Sequence, residues 1–292
     1  MKDMKLTRRE MLLRSSGVIA SVGLVGCDGL AGSGRGRAGR IKFGACDWTL
    51  DKQADTAAFE MAAALGLDGI QLSLGSREDD MKLRKPEVQK EFMQAAKNNK
   101  VQIGSMAIGE LNWVPYKSDE RTEKWVSDSI DVCNVVGCKV VLLAFFADGD
   151  LKGDKKGIDV VVSRLKKVAP KAEKAGVALG IESWLSAEDH MDIIQRVGSP
   201  AVKVYYDVAN SKMAGYDIYK EIRWLGNNIC EFHAKDYKGL FGKGEIDFVE
   251  VRRAMEDIGY SGWVHLEPVE FGSLDVMGAF RYDIKYLREV FG

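Results

Sequence analysis

The chain has 292 residues, of which 46% are hydrophobic and 29% charged, with a net charge of −1. That is the composition of a globular protein with enough apolar material for a large core. Residues 1–27 carry five basic and two acidic groups and residues 28–40 are also net positive, so the remainder is mildly acidic and has no basic stripe for nucleic acid.

The N-terminus reads as an address. Residues 5–27, KLTRREMLLRSSGVIASVGLVGC, place a basic segment before an apolar run from Gly17 to Gly26. That run is about half the length a bilayer span needs, which makes it a signal h-region. Thr7, Arg8 and Arg9 resemble a twin-arginine export signal, a route taken by proteins that fold and acquire cofactors before export. Leu24-Val25-Gly26-Cys27 resembles a bacterial lipobox, which implies cleavage before Cys27 and lipidation of its thiol. Asp28 resembles an inner-membrane retention signal. The resemblance implies an exported protein on the periplasmic side, held to the membrane only by a lipid anchor at Cys27. Residues 28–40, rich in Gly and Arg, form a flexible tether.

From residue 41 to 292 the chain alternates short apolar runs with longer amphipathic ones. Buried parallel strands are predicted at 41–48, 69–74, 101–108, 139–146, 177–184, 202–209, 229–235 and 262–269. Helical patterns lie between them, for example at 55–66, 86–99 and 158–176. Pro86 suits a helix start, and Gly66, Gly137 and Gly176 suit helix ends. Units repeating at a spacing of about 30 residues over about 250 predict a single (β/α)₈ TIM barrel. No G-x-G-x-x-G follows the first strand, which argues against a dinucleotide-binding sheet.

Four cysteines follow Cys27: Cys46, Cys133, Cys138 and Cys230. They form no metal-type pairs. Cys46 and Cys230 read as core thiols, and Cys133 with Cys138 is a candidate bridge in an oxidising compartment.

In a barrel of this kind, working groups sit at the C-terminal ends of strands. Strand five ends with Glu182, strand six with Asp207 and then Asn210, strand seven with His233, Lys235 and Asp236, and strand eight with Glu267. The intervals from Glu182 through Asp207 and His233 to Glu267 are 25, 26 and 34 residues, about one unit each, so these side chains should converge on one mouth. Three converging carboxylates need compensation, because each desolvated ion costs several kcal/mol. A divalent cation supplies it, and three carboxylates with one imidazole make an O/N donor set suited to Mn²⁺, Mg²⁺ or Co²⁺. In the stretch EFHAKD, alternation places Glu231, His233 and Lys235 on one face and Cys230, Phe232 and Ala234 on the other. Further residues expected at the mouth are Asp47, Trp48, Glu110 and Trp184. His190 reads as surface or helix-capping, and His265 as lying deeper in the barrel.

With those residues placed, residues 41–292 resemble the xylose isomerase-like TIM barrels of the sugar phosphate isomerase/epimerase superfamily. The segments VKVYYDVAN, FHAKD, GKGEIDF (242–248) and VHLEP carry the likeness. The ketose 3-epimerase branch implies that Glu182, Asp207, His233 and Glu267 bind a metal, Mn²⁺ first and Mg²⁺, Co²⁺ or Zn²⁺ as alternatives. It also implies that Glu182 and Glu267 act as acid and base on an enediolate. Asp236 would support the imidazole from its far side. Trp48, Glu110, Trp184, Asn210 and Lys235 would bind a small carbohydrate, and homodimers are common in the family. Two departures stand out. Asn210 occupies a place that is histidine in that branch, and no substrate-gripping arginine follows strand seven, where Lys235 or Lys243 would stand in. The resulting expectation is a sugar isomerase or epimerase for an unphosphorylated ketose or keto-sugar. A dehydratase or lyase of a keto-polyol or keto-glycoside, and a non-catalytic sugar-binding lipoprotein, are the alternatives. A three-zinc endonuclease of the same fold would need more than the chain's three histidines.

Overall fold

The computed structural model describes residues 40–292. The signal segment 1–27, Cys27 and the tether up to residue 39 lie outside the described residues. Among the described residues, no helix is long and apolar enough to cross a membrane.

The first half of the domain runs β1 (Lys42–Cys46), α1 (Ala57–Leu65), β2 (Gly69–Ser73), α2 (Pro86–Asn99), β3 (Gln102–Ile108), α3 (Arg121–Val136) and β4 (Val140–Phe145). The second half runs α4 (Lys155–Ala175), β5 (Ala178–Ser183), α5 (Ala187–Val197), β6 (Val202–Asp207), α6 (Val208–Met213) and α7 (Ile218–Leu225). It ends with β7 (Ile229–Ala234), α8 (Phe248–Asp257), β8 (Trp263–Leu266) and α9 (Val276–Phe291). The strands form a closed parallel barrel in chain order, with β8 paired to β1. Closure leaves no sheet edge exposed.

The helices start and stop where local chemistry dictates. Pro86 occupies the first turn of α2, where its missing N–H costs nothing. Ser186 caps α5 by accepting from the Asp189 N–H, and Asp154 caps α4 by accepting from Gly157. Gly66, Gly137 and Gly176 each end a helix in the left-handed conformation. The sixth strand stops at Asp207, two residues short of the expected end, because Asp207 caps the short helix α6.

Outward-facing strand residues such as Ile70, Leu72, Val141, Ile181 and Phe232 pack under the helices in the main apolar core. The interior is smaller and mixed. One side is apolar, built from Ala107, Val140, Leu142, Ala144 and Tyr205. The other side holds buried polar groups, among them Gln71, Ser105, Glu231, His233 and His265. His265 and Trp263 stack with their ring centroids 5.4 Å apart. Room for the imidazole comes from two glycines. A Cβ on Gly44 would lie 2.5 Å from His265 Cδ2, and one on Gly104 would lie 2.7 Å from its Nε2.

Two expectations are corrected, for Cys230 and His190, and the bridge open to Cys133 and Cys138 is not formed. The register between β6 and β7 shifts at Val204/Tyr205. The resulting bulge turns Cys230 away from the face of Phe232 and Ala234, to pack with Tyr205 and Ala178 inside the barrel. His190 is buried, with Nε2 3.0 Å from Ser183 Oγ and Nδ1 2.9 Å from the Ser186 carbonyl. Burial holds this imidazole down at about 4, so it stays neutral. Cys133 and Cys138 are free thiols, 3.3 Å apart at sulfur and unbridged.

Candidate metal centre

Four ligand-capable side chains meet at the C-terminal mouth of the barrel. One atom from each of Glu182, Asp207, His233 and Glu267 lies within 4.8 Å of the other three. Glu182 is on β5, Asp207 closes β6, His233 is on β7 and Glu267 follows β8. His233 Nδ1 is 3.1 Å from Glu182 Oε1, 3.6 Å from Glu267 Oε2 and 3.9 Å from Asp207 Oδ2.

Each ligand is held by its own local structure. Asp207 Oδ1 accepts from the Ala209 and Asn210 N–H groups, both at 2.8 Å, as the cap of α6. Its Oδ2 is buried and has no hydrogen-bond partner among the described residues. The same turn places Asn210, whose Nδ2 donates to Glu182 Oε1 at 3.3 Å. Tyr237 in turn donates to Asn210 Oδ1 at 2.6 Å. Glu267 accepts from Trp48 Nε1 at 2.9 Å and from Lys235 Nζ at 2.8 Å.

The electrostatics leave the cluster short of positive charge. Burial, reinforced by Glu182 and Glu267, pushes the Asp207 carboxyl up to about 7, although Lys235 pulls the other way. Burial opposes ionisation of Glu267 too, but Lys235 and His233 outweigh it and hold that carboxyl down at about 2. Burial would lower His233, yet the carboxylates of Glu182 and Glu267 raise it overall. Lys235 is likewise raised by Glu267 and Asp207 despite its burial. The Lys235 ammonium is 2.8 Å from Glu267 Oε2 and 3.7 Å from Asp207 Oδ2, too far from the latter for a hydrogen bond, and a buried carboxylate oxygen left without a donor costs free energy. The donor set, its closeness and the unpartnered Asp207 oxygen all fit a divalent cation.

Behind the imidazole is a network that the sequence reading missed. His233 Nε2 is 2.7 Å from Gln71 Oε1. Gln71 Nε2 donates to Ser105 Oγ and to Tyr205 OH, both at 3.0 Å. Tyr205 OH is 3.1 Å from His265 Nδ1. Cys46 is part of this group and not a plain core thiol, since its Sγ donates to Gln71 Oε1 at 3.4 Å. The signal was present in GIQLSL, where Gln71 and Ser73 alternate with Ile70, Leu72 and Leu74. Asp236, expected to support the imidazole, instead accepts from the backbone of Lys238 and Ile246. It follows Lys235 and so leaves the inward face.

The mouth opens into a cavity of about 420 Å³. Trp48, Glu110, Trp184, Asn210 and Lys235 all line it, as expected, and Trp113, Phe146 and Tyr237 join them. Phe146 and Trp184 meet edge-on at 5.1 Å. Glu110 is raised by burial, with Arg77 3.7 Å away on its outer side. Asp47 is a latch beneath the rim: its carboxylate takes the Ser73 and Ala54 N–H groups and the Ser73 hydroxyl.

The class is that of closed (β/α)₈ barrels, here with a carboxylate–imidazole cluster that could hold a metal at the mouth where such barrels carry their sites. The profile of the family described as "Xylose isomerase-like TIM barrel" matches residues 59–290, and the chain belongs to that family. A D-psicose 3-epimerase of Ruminiclostridium cellulolyticum is 31% identical over 125 residues, covering 39% of this chain and 43% of that protein. The match thus spans less than half of that relative's length. A 2-epi-5-epi-valiolone 7-phosphate 2-epimerase of Actinoplanes sp. is 25% identical over 200 residues, covering 67% of this chain and 72% of that protein. Among solved structures, D-psicose 3-epimerase with D-tagatose from Clostridium cellulolyticum H10 superposes with a TM-score of 0.73 at 18% identity. That superposition covers 86% of this chain and 99% of the other and supports the fold.

Proposed function

We propose that this protein is a divalent-metal-dependent isomerase or epimerase of an unphosphorylated ketose or keto-sugar. The carrying observation is the cluster of Glu182, Asp207, His233 and Glu267, with the buried Asp207 Oδ2 offered to it unpartnered. Those four side chains would hold the ion, with Mn²⁺ the expected one from the mixed O/N donors. A bound divalent cation would supply the positive charge that stabilises an enediolate.

The residues divide the remaining work. β5 and β8 stand three strands apart around the ring, so Glu182 and Glu267 approach a bound sugar from different sides. Glu182, oriented by Asn210, removes the proton beside the carbonyl. Glu267, oriented by Lys235 and Trp48, returns one to the same or the neighbouring carbon. Trp48, Phe146 and Trp184 present flat apolar walls to the sugar ring and keep water from the enediolate. Two features favour an unphosphorylated substrate. Among the described residues lining the cavity the one cation is Lys235, already 2.8 Å from Glu267. The export-type N-terminus also points away from the cytoplasmic phosphosugars. Residues 1–27 would direct export and Cys27 would carry the lipid anchor. On that reading the wild-type protein incorporates labelled palmitate and Cys27→Ser does not, and equal labelling, or none in the wild type, would reject the anchor.

A lyase of a keto-glycoside is the second reading, favoured by Trp113. This side chain is 57% exposed at the cavity rim, where a second ring or aglycone would lie. The deciding experiment is NMR in D₂O with Mn²⁺-loaded protein, stripped of excess metal, against free ketoses and keto-glycosides. Deuterium entering beside the carbonyl supports enolising chemistry, and the product then separates epimerase, isomerase and lyase. Tightly bound metal with no exchange in any substrate would argue for the sugar-binding alternative.

A further inference from the structure

We propose that Gln71 is the positioning residue of the metal centre, fixing the His233 ring so that Nδ1, and not Nε2, faces the carboxylates. The inference rests on the metal-site reading above and adds to it a residue from the opposite half of the barrel, 162 positions away in sequence.

An imidazole that binds a metal through one nitrogen needs an acceptor for the N–H of the other, and that partner sets the ring's orientation. Asp236, the carboxylate nearest in sequence, is occupied by the backbone of its own loop. The acceptor is Gln71 Oε1, at 2.7 Å from His233 Nε2. An amide can present either end, and the wrong end would put an N–H against an N–H. Here the end is fixed. Gln71 Nε2 has both of its donors directed at hydroxyls, Ser105 Oγ and Tyr205 OH, at 3.0 Å each. Tyr205 and Ser105 remain free to accept because their own hydroxyl protons have a destination in the buried Glu231 carboxylate, to which both are hydrogen-bonded, and Tyr205 OH also lies 3.1 Å from His265 Nδ1. The Cys46 thiol adds a second donor to Gln71 Oε1, which further favours oxygen at that end. Gln71 thus donates to Ser105 and Tyr205 on one side and offers Oε1 to His233 on the other, which leaves Nδ1 aimed at Glu182, Glu267 and Asp207.

The test measures metal binding directly. Gln71→Met keeps the length and volume of the side chain but removes the oxygen acceptor. It should bind Mn²⁺ about 10–100-fold more weakly by calorimetry, as loss of such a partner does elsewhere. Gln71→Glu keeps an acceptor for the Nε2–H and should return the affinity to the wild-type value or tighter, which a merely space-filling role would not do. A Gln71→Met protein that binds Mn²⁺ as wild type does, or a Gln71→Glu protein as weak as Gln71→Met, overturns the proposal. If Gln71→Met does not fold, Ser105→Ala carries the test. It frees the amide to turn, and should weaken Mn²⁺ binding while the melting temperature of the metal-free protein holds; an unchanged affinity overturns the proposal. Wild-type protein that binds no Mn²⁺ would instead sink the metal-site reading itself, and this inference with it.

Discussion

Asp207 does two jobs with two oxygens. Oδ1 caps α6, and Oδ2 points into the cluster. Asp207→Asn separates them, because asparagine caps a helix as well as aspartate does. The variant should fold, with a far-ultraviolet spectrum like that of wild type. Its Mn²⁺ affinity should fall by more than the ~10–100-fold that follows loss of an outer partner. A folded variant with undiminished affinity would remove Asp207 from the ligand set. Glu182→Gln addresses chemistry: it keeps the contact with Asn210 but cannot take a proton, so kcat should drop by about 10²–10⁴-fold while the protein still binds metal. At this scale the sequence was informative about which polar side chains stand at strand ends and so meet at the mouth. Glu182, Asp207, His233 and Glu267 were legible for that reason. Gln71 was not, because its partner is fixed only when β2 and β7 face each other across the closed barrel. His190 was misjudged because the eleven residues of α5 do not say which side of the helix start the packing of Ser183 will cover.

Strands and helices were read well because their periods are physical consequences of burial, and every predicted strand has its counterpart. The misses lie where an element departs from its period. A bulge between β6 and β7 turned Cys230 inward, and the cap at Asp207 ended β6 early. The loop after β7 is a third case, since its shape depends on side chains reaching back. Asp236 ties Lys238 and Ile246 together, and Asp283 on α9 accepts from the Phe241 N–H at 2.9 Å. That loop carries Tyr237, which steadies Asn210 and so Glu182. Asp283 Oδ2 has no partner among the described residues, and burial, with Asp236 nearby, pushes the carboxyl up to about 7. The sign follows from linkage. The unfolded chain releases this proton near pH 3.9, while the folded protein keeps it until about 7. The stability contributed by the protonated group is therefore complete at low pH and is lost as pH rises towards 7. Asp283→Asn retains the acceptor for Phe241 without that loss. Its melting temperature relative to wild type should climb from pH 4 to pH 7 and then level off. A difference that is flat with pH would mean that Asp283 is ionised in the fold.

For the whole molecule, the candidate ligands stand on or just after four consecutive strands, β5 to β8, and the last of these closes on β1. A metal at the mouth ties together the half of the ring that the chain completes last. It would also reverse a cost, since without a cation Asp207 is held at about 7 by burial and its like-charged neighbours. Between pH 4 and 7 the metal-free fold retains a proton that the unfolded chain has released, so this group makes the fold less stable as pH rises. Glu267 works in the opposite sense at lower pH. It is held at about 2 by Lys235 and His233 against burial, so its contribution is complete above about pH 4.5 and is lost only in acid. Above pH 5 the Asp207 effect is clear of Glu267 but overlaps that of Asp283, so it is read as the difference from Asp207→Asn. The melting temperature of the metal-free protein, corrected by the same scan of Asp207→Asn, should fall from pH 5 to pH 8. Saturation with Mn²⁺ should flatten that slope, because the ion binds the charged carboxylate and takes the proton's place. Binding at pH 6 should accordingly release protons, measurable as a dependence of the calorimetric heat on buffer ionisation enthalpy. At a free metal concentration about 1,000 times Kd the linkage is worth about 4 kcal/mol. For a barrel of this size each kcal/mol is about 2–4 °C, so the rise at pH 7.5 should be about 8–16 °C and should vanish with chelator. A loaded protein that melts no higher than the metal-free one, at any pH, would show that the cluster is a buried charge network stabilised by Lys235 alone and not a metal site.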